Sequence, residues 1–90
     1  MSIVGADIVA LREFARSLRH RQHEIEATRQ RLTAVVENLP WAGGDHDRFV
    51  GEWRDIHGPG IARLVGELSV AAREASDHAH RQEQASRRWS

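Results

Sequence analysis

Three residue types are missing from this chain of 90 residues: cysteine, lysine and tyrosine. Without cysteine, neither a disulfide framework nor a thiolate metal site can form. Long apolar runs are missing as well, so no membrane span is predicted. The N-terminus has no basic segment followed by an apolar stretch, and no secretory signal peptide is predicted. If the protein leaves the cell, it uses a route that recognises another signal.

The net charge is zero, because thirteen arginines balance thirteen acidic residues. Nucleic acids and anionic lipids are normally bound by a basic surface, and this composition provides no such excess, so neither partner is predicted. The length indicates one small domain. A chain this short buries only a limited core by itself, and small chains often gain stability by oligomerising.

The first half of the chain carries an almost uninterrupted heptad repeat, which is typical of a coiled-coil-like helix. One line of the repeat, called the leucine line below, is entirely large and aliphatic: Leu11, Leu18, Ile25, Leu32 and Leu39. The pattern predicts a helix over about residues 6–39, with Asp7 in the first turn, where a carboxylate suits the helix dipole. Gln22 and Arg29 interrupt the other line. They either weaken the middle of a bundle whose curved surface lets the arginine reach water, or select register or partner.

A turn is predicted over residues 40–43, where the chain combines a helix stop, a tryptophan and glycine. Pro40 lacks an N–H and restricts the residue before it, so it ends the first helix. Gly43 allows a tight reversal. Trp41 is unusual in such a turn, and it is predicted to pack across the tip of a helical hairpin.

A second helix is predicted over about residues 44–87, with Gly44 or Asp45 as its N-cap and Asp47 in its first turn. The cluster Gly58-Pro59-Gly60 is a strong helix breaker. It predicts a kink near residues 58–60.

The kink is supported by a shift in the apolar pattern of the second helix. The register set by Phe49 and Trp53 would reach residue 60, but the pattern resumes at Ile61. The line of apolar residues is therefore displaced by one residue at the Gly58-Pro59-Gly60 cluster. The predicted seam, which serves as core or as dimer interface, is Leu11, Leu18, Ile25, Leu32, Phe49, Trp53, Leu64 and Leu68.

No catalytic, cofactor-binding or metal-binding residue is predicted. The six histidines do not fall at spacings that fix three or four metal ligands, and they are interpreted as solvated surface residues. No serine stands in a nucleophile elbow, and the carboxylates are scattered among arginines, as on solvated helix faces. A basic line flanks the first seam, and acidic neighbours make a salt-bridged flank its favoured interpretation: Arg12, Arg16, Arg19 and His23.

The tripeptide Trp41-Ala42-Gly43 between two helices resembles the WXG-motif family, the small early-secreted-antigen-like proteins of actinobacteria and firmicutes. Phe49 and Trp53 follow at the spacing of the family's aromatic positions. Leu64 and Leu68 fall where its second helix carries leucines. The polar tail over residues 80–86 is similar to the family's carboxyl end. The similarity covers almost the whole chain.

The resemblance implies a non-enzymatic substrate, co-secreted partner or carrier of a type VII (ESX-type) secretion system, exported as a folded dimer. A secretion ATPase or a larger effector is then a further partner. The family's export signal is commonly Tyr-x-x-x-Asp/Glu, and Glu83 matches its acidic position. Ala79 stands where the tyrosine would be. The chain is therefore either the signal-less half of a heterodimer or an adaptor retained in the cytoplasm.

The predicted fold is all-α: an antiparallel helical hairpin that pairs into a four-helix bundle. Apolar residues off the seam would be exposed in a monomer, and such stripes usually mark an interface: Phe14, Val35, Val50, Val65 and Val70. Both a homodimer and a heterodimer with another WXG-type protein are open. The alternative function is a cytoplasmic adaptor or a regulatory or nucleic-acid-binding helical protein, which the neutral charge disfavours.

Overall fold

The computed structural model describes residues 3–40 and 43–88 of the chain. The all-α class predicted from the sequence is confirmed for these ranges. Their helical elements are, in chain order, α1 (Ile3–Glu37), α2 (Gly44–Glu52), a π-helical segment (Trp53–His57) and α3 (Gly58–Arg88).

α1 and α3 lie side by side in opposite directions and form a helical hairpin. Arg12, near the start of α1, pairs with Glu83 near the end of α3. At the other end of α1, a carboxylate oxygen of Glu37 lies 3.6 Å from a guanidinium nitrogen of Arg54. The hairpin is a rod of 69 × 18 × 13 Å. Because this rod is one hairpin thick, each long helix keeps a face that no other described element covers.

α1 begins three residues before its predicted start and ends two residues before its predicted end. Asp7 therefore lies beyond the first turn, and the prediction of a dipole-stabilising carboxylate there was wrong. At the other end, Asn38 leaves the helix. Its backbone N–H donates a 3.1 Å hydrogen bond to the carbonyl oxygen of Ala34, and its side-chain amide donates a second bond, of 2.7 Å, to the same oxygen.

The second helical stretch is capped by Gly43, not by Gly44 or Asp45 as predicted. Gly43 has a φ of 123°, a backbone conformation that side chains with a Cβ rarely adopt. Its carbonyl oxygen accepts a 3.1 Å hydrogen bond from the N–H of Asp47. Asp45 and Asp47 lie in the first turn of α2, where carboxylates are favoured. Trp41 lies outside the described residues, and so does its predicted packing.

The one-residue shift in the apolar pattern of the second helix coincides with the π-helical segment. The N–H of Gly58 bonds to the carbonyl oxygen of Trp53, five residues earlier. A turn closed by such a bond holds one residue more than an α-helical turn. The extra residue therefore realigns the apolar residues of α2 with those of α3. The irregularity lies one turn before the predicted kink, at residues 53–57, and Pro59 falls in the first turn of α3.

Gly58 is required by this wide turn, which gives a prediction with an internal control. A Cβ on Gly58 would lie 2.9 Å from the carbonyl oxygen of Trp53, whereas a Cβ on Gly66 would meet nothing within 4 Å. Gly58→Ala should therefore destabilise the fold by about 1–3 kcal/mol. Gly66→Ala should stabilise it by about 0.5–1 kcal/mol, because alanine is the better helix former. Urea unfolding of both variants measures the difference, and equal effects of the two substitutions would contradict the account of the turn.

The core between α1 and α3 is narrow and consists largely of alanine. The buried apolar residues are Ile8, Ala15, Val36, Ala72, Ala75 and Ala79. Small side chains at a helix contact allow the two axes to approach closely, but they bury little apolar area each. The larger aliphatic residues of the chain therefore lie mostly outside this core.

Candidate interaction surface

The leucine line lies at the flank of the contact between α1 and α3. The buried residues of α1 belong to the other line of the heptad repeat, which includes Ile8, Ala15 and Val36. Leu11, Leu18 and Ile25 are half-buried, and Leu32 is 43% exposed. The leucine line, whose large side chains favoured a core position, therefore borders solvent.

Side chains of α1 and α3 together place large apolar residues along one side of the hairpin. Two grooves mark it, one where the leucine line meets the start of α3 and one where it meets the end of α3. Leu18 lies between the grooves by its heptad position. The surface is called the apolar face below, and it consists of Leu11, Phe14, Leu18, Ile25, Leu32, Ile61 and Leu64.

The larger groove, called the middle groove, has a volume of about 420 Å³. Its apolar walls come from both helices, and its rim is charged. It is lined by Arg21, Glu24, Ile25, Thr28, Arg29, Leu32, Ile61 and Leu64. Leu64 is 45% exposed, so the groove presents large aliphatic side chains to solvent. An apolar floor with a charged rim is the usual composition of a protein–protein contact.

The second groove surrounds the most prominent side chain of the apolar face. Phe14 is 56% exposed and borders this groove together with Leu11, His78 and Gln82. The amide nitrogen of Gln82 lies 3.2 Å from Nε2 of His78. Its amide oxygen is buried and has no hydrogen-bond partner among the described residues.

Charged pairs border the apolar face along α1. Arg21 donates a 3.0 Å hydrogen bond to Glu24, and Nε of Arg29 donates one of the same length to Glu26. The bond from Arg29 lowers the pKa of Glu26, and the pKa of Arg29 is raised by the same bond. Arg29, which interrupts one line of the heptad repeat, is therefore paired with a neighbour on its own helix. The side chain of Arg29 is 27% exposed, which agrees with an arginine that reaches water.

Thr33 has a structural role that the sequence did not indicate. Its hydroxyl oxygen accepts a 2.8 Å hydrogen bond from the indole nitrogen of Trp53. The same hydroxyl donates a 2.8 Å bond to the carbonyl oxygen of Arg29. This chain of bonds anchors the start of the π-helical segment to α1. A lone threonine inside a heptad pattern carries no signal of such a contact.

Glu83, the predicted remnant of an export signal, pairs with two arginines. Arg12 reaches it from α1 and Arg87 from the next turn of α3. The hydrogen bond from Arg12 is the main reason that the pKa of Glu83 lies below its ordinary value. The carboxylate of Glu83 thus links the open ends of the two helices. Arg12, which the sequence placed on a salt-bridged flank, pairs across the hairpin.

The remaining predicted seam residues occupy different surroundings. Trp53 and Leu68 are half-buried. Phe49 is 39% exposed, so it contributes less to the core than its spacing suggested. Ala72 and Ala79, which the sequence did not place on the seam, are fully buried.

Groups of three or more metal-ligating side chains do not occur among the described residues. None of the helices that the structure describes is long and apolar enough to cross a membrane. Comparison of the chain with known protein families, characterised proteins and solved structures finds no match. The similarity to the WXG-motif family therefore depends on the residues of the chain itself.

Proposed function

We propose that this chain is a small non-enzymatic interaction protein whose apolar face pairs two hairpins into a four-helix bundle. The observation that carries the proposal is the exposed apolar face itself. Its large side chains lie outside an alanine-rich core, on a rod only one hairpin thick. Covering this face would bury the apolar surface that the hairpin leaves in water. In isolation the partner is a second copy, and a heterodimer with another WXG-type protein is the alternative.

We further propose that the protein acts in a type VII (ESX-type) secretion system, as a substrate, a co-secreted partner or a carrier. The resemblance of Trp41-Ala42-Gly43, Phe49 and Trp53 to the WXG-motif family supports this context. The chain would then be cytoplasmic before export and would leave the cell by a route independent of a signal peptide. A secretion ATPase and a larger effector are its further partners. Because tyrosine is absent, a partner that carries the complete signal would direct the export.

Export is tested by expressing an epitope-tagged chain in its native host, which supplies any partner that carries the signal, and in the same host with its type VII secretion ATPase inactivated. We expect the chain in the culture medium of the first strain only, with a cytoplasmic marker retained in both. Export that does not require the ATPase would contradict the secretion role. Retention in both strains would contradict it too, and would favour a cytoplasmic adaptor.

A further inference from the structure

We propose that Phe14 of a second copy of this chain packs at the end of the middle groove that Thr28 and Leu32 form, in an antiparallel arrangement with two-fold symmetry. The inference rests on the proposed function, because it specifies how the apolar face is covered. It commits to one occupant and to one register of α1 against α1. Two features of the described surface support it: a reciprocal charge pair, and a matching projection and hole.

The charge pair lies at the rim of the middle groove. Arg21 and Glu24 are one helical turn apart on α1. A two-fold axis that crosses α1 midway between them brings Arg21 of each copy opposite Glu24 of the other. The same two residues thereby form two attractive contacts across the interface. An axis through Arg21 or through Glu24 would instead oppose like charges, which costs several kcal/mol at an interface.

The same axis determines what Phe14 meets. Phe14 lies seven residues before Arg21, so it faces the residue seven positions after Glu24, which is Arg31. In helix–helix packing, a side chain enters a hole formed by four residues of the facing helix. Here that hole is formed by Thr28, Arg31, Leu32 and Val35.

The exposed apolar residues of this side of α1 are then covered by one another. Phe14 is 56% exposed, Leu32 43% and Val35 57%. The arrangement places the ring of one copy against the two aliphatic side chains of the other, and symmetry repeats the contact. Thr28 and Leu32, which form two corners of the hole, also line the end of the middle groove, so the ring lies beside that groove.

The register is tested with Arg21→Glu and Glu24→Arg, each examined alone and in an equimolar mixture, by sedimentation equilibrium at low salt. Either variant alone opposes like charges across the axis, and we expect its dimer dissociation constant to rise about tenfold or more. In the mixture, every cross-axis pair is again attractive, so a mixed dimer should form with an affinity close to that of the wild type. High salt should reduce these differences.

Arg16→Glu is the matched control for net charge. Arg16 is exposed and lies outside both grooves, so this variant should dimerise like the wild type. Phe14→Ala is a second test that does not depend on charge. It should weaken the dimer about tenfold or more, as expected for an aromatic residue in an interface hole. Circular dichroism should show each variant folded, since all these side chains are exposed.

The outcomes separate this inference from the proposed function. A wild-type dimer that Arg21→Glu and Phe14→Ala leave unchanged would overturn the proposed register while the pairing function stands. A wild-type chain that remains monomeric and binds only a different protein would overturn the second copy as occupant. A chain that pairs with nothing would overturn both proposals.

Discussion

Leu32→Glu should convert the protein from a dimer into a folded monomer. Leu32 belongs to the apolar face and borders the middle groove. Burying an unpaired carboxylate in an interface costs several kcal/mol, which corresponds to a rise of about a hundredfold or more in the dimer dissociation constant. Within one hairpin the side chain is 43% exposed, so the hairpin itself should tolerate the change.

Val70→Glu is the control for this substitution. Val70 is 49% exposed, close to the exposure of Leu32. It lies nine residues after Ile61, which places it on the opposite side of α3 from the apolar face, since each residue advances a helix by about 100°. Sedimentation equilibrium should therefore show Val70→Glu as a dimer. If both variants dimerise, or if both dissociate, the apolar face is not the interface.

Trp53→Ala should produce the largest loss of stability within the hairpin. The substitution removes the half-buried indole, the hydrogen bond to Thr33, and the contact that anchors the π-helical segment to α1. We expect a loss of about 2–4 kcal/mol, somewhat below the cost for a fully buried tryptophan. For a domain of this size, this lowers the melting temperature by about 10 °C or more.

Two further variants resolve the contributions to that loss. Trp53→Phe keeps an aromatic ring but removes the donor, so it should account for about 1 kcal/mol of the effect. Ile56→Ala changes a residue of the same segment whose side chain is 60% exposed, and it should cost little. The melting temperatures of these variants should be measured with Leu32→Glu also present, which keeps the chain monomeric, because dimerisation makes stability depend on concentration. A Trp53→Ala melt indistinguishable from that of Ile56→Ala would show that Trp53 does not anchor the turn.

The helical class and the interruption of the second helix could be predicted from the chain because both depend on local pattern. Heptad spacing determines which residues share one side of a helix, and the step from Trp53 to Ile61 revealed a register shift. The apolar pattern does not show which structural feature accommodates the one-residue shift. A kink and a π-helical turn both realign the apolar residues, and Gly58 and Pro59 are compatible with either.

The division between core and surface was harder to predict. The large aliphatic residues of the leucine line favour its interpretation as a core. In the structure, however, Leu32 is partly exposed and Ala72 is fully buried. Alanine is weakly hydrophobic and common throughout helices, so a line of alanines carries little signal. Which line of a heptad faces inward depends on how closely two helices approach, and that is a property of their pairing. The same holds for Thr33, whose role appears only when Trp53 lies opposite it.

The central claim is that the apolar face is an interface between hairpins, and sedimentation equilibrium of the wild-type chain tests it most directly. The chain has a mass of 10.2 kDa. At micromolar concentration we expect a species of twice that mass that unfolds cooperatively. A folded, cooperative monomer at the same concentration would contradict the claim.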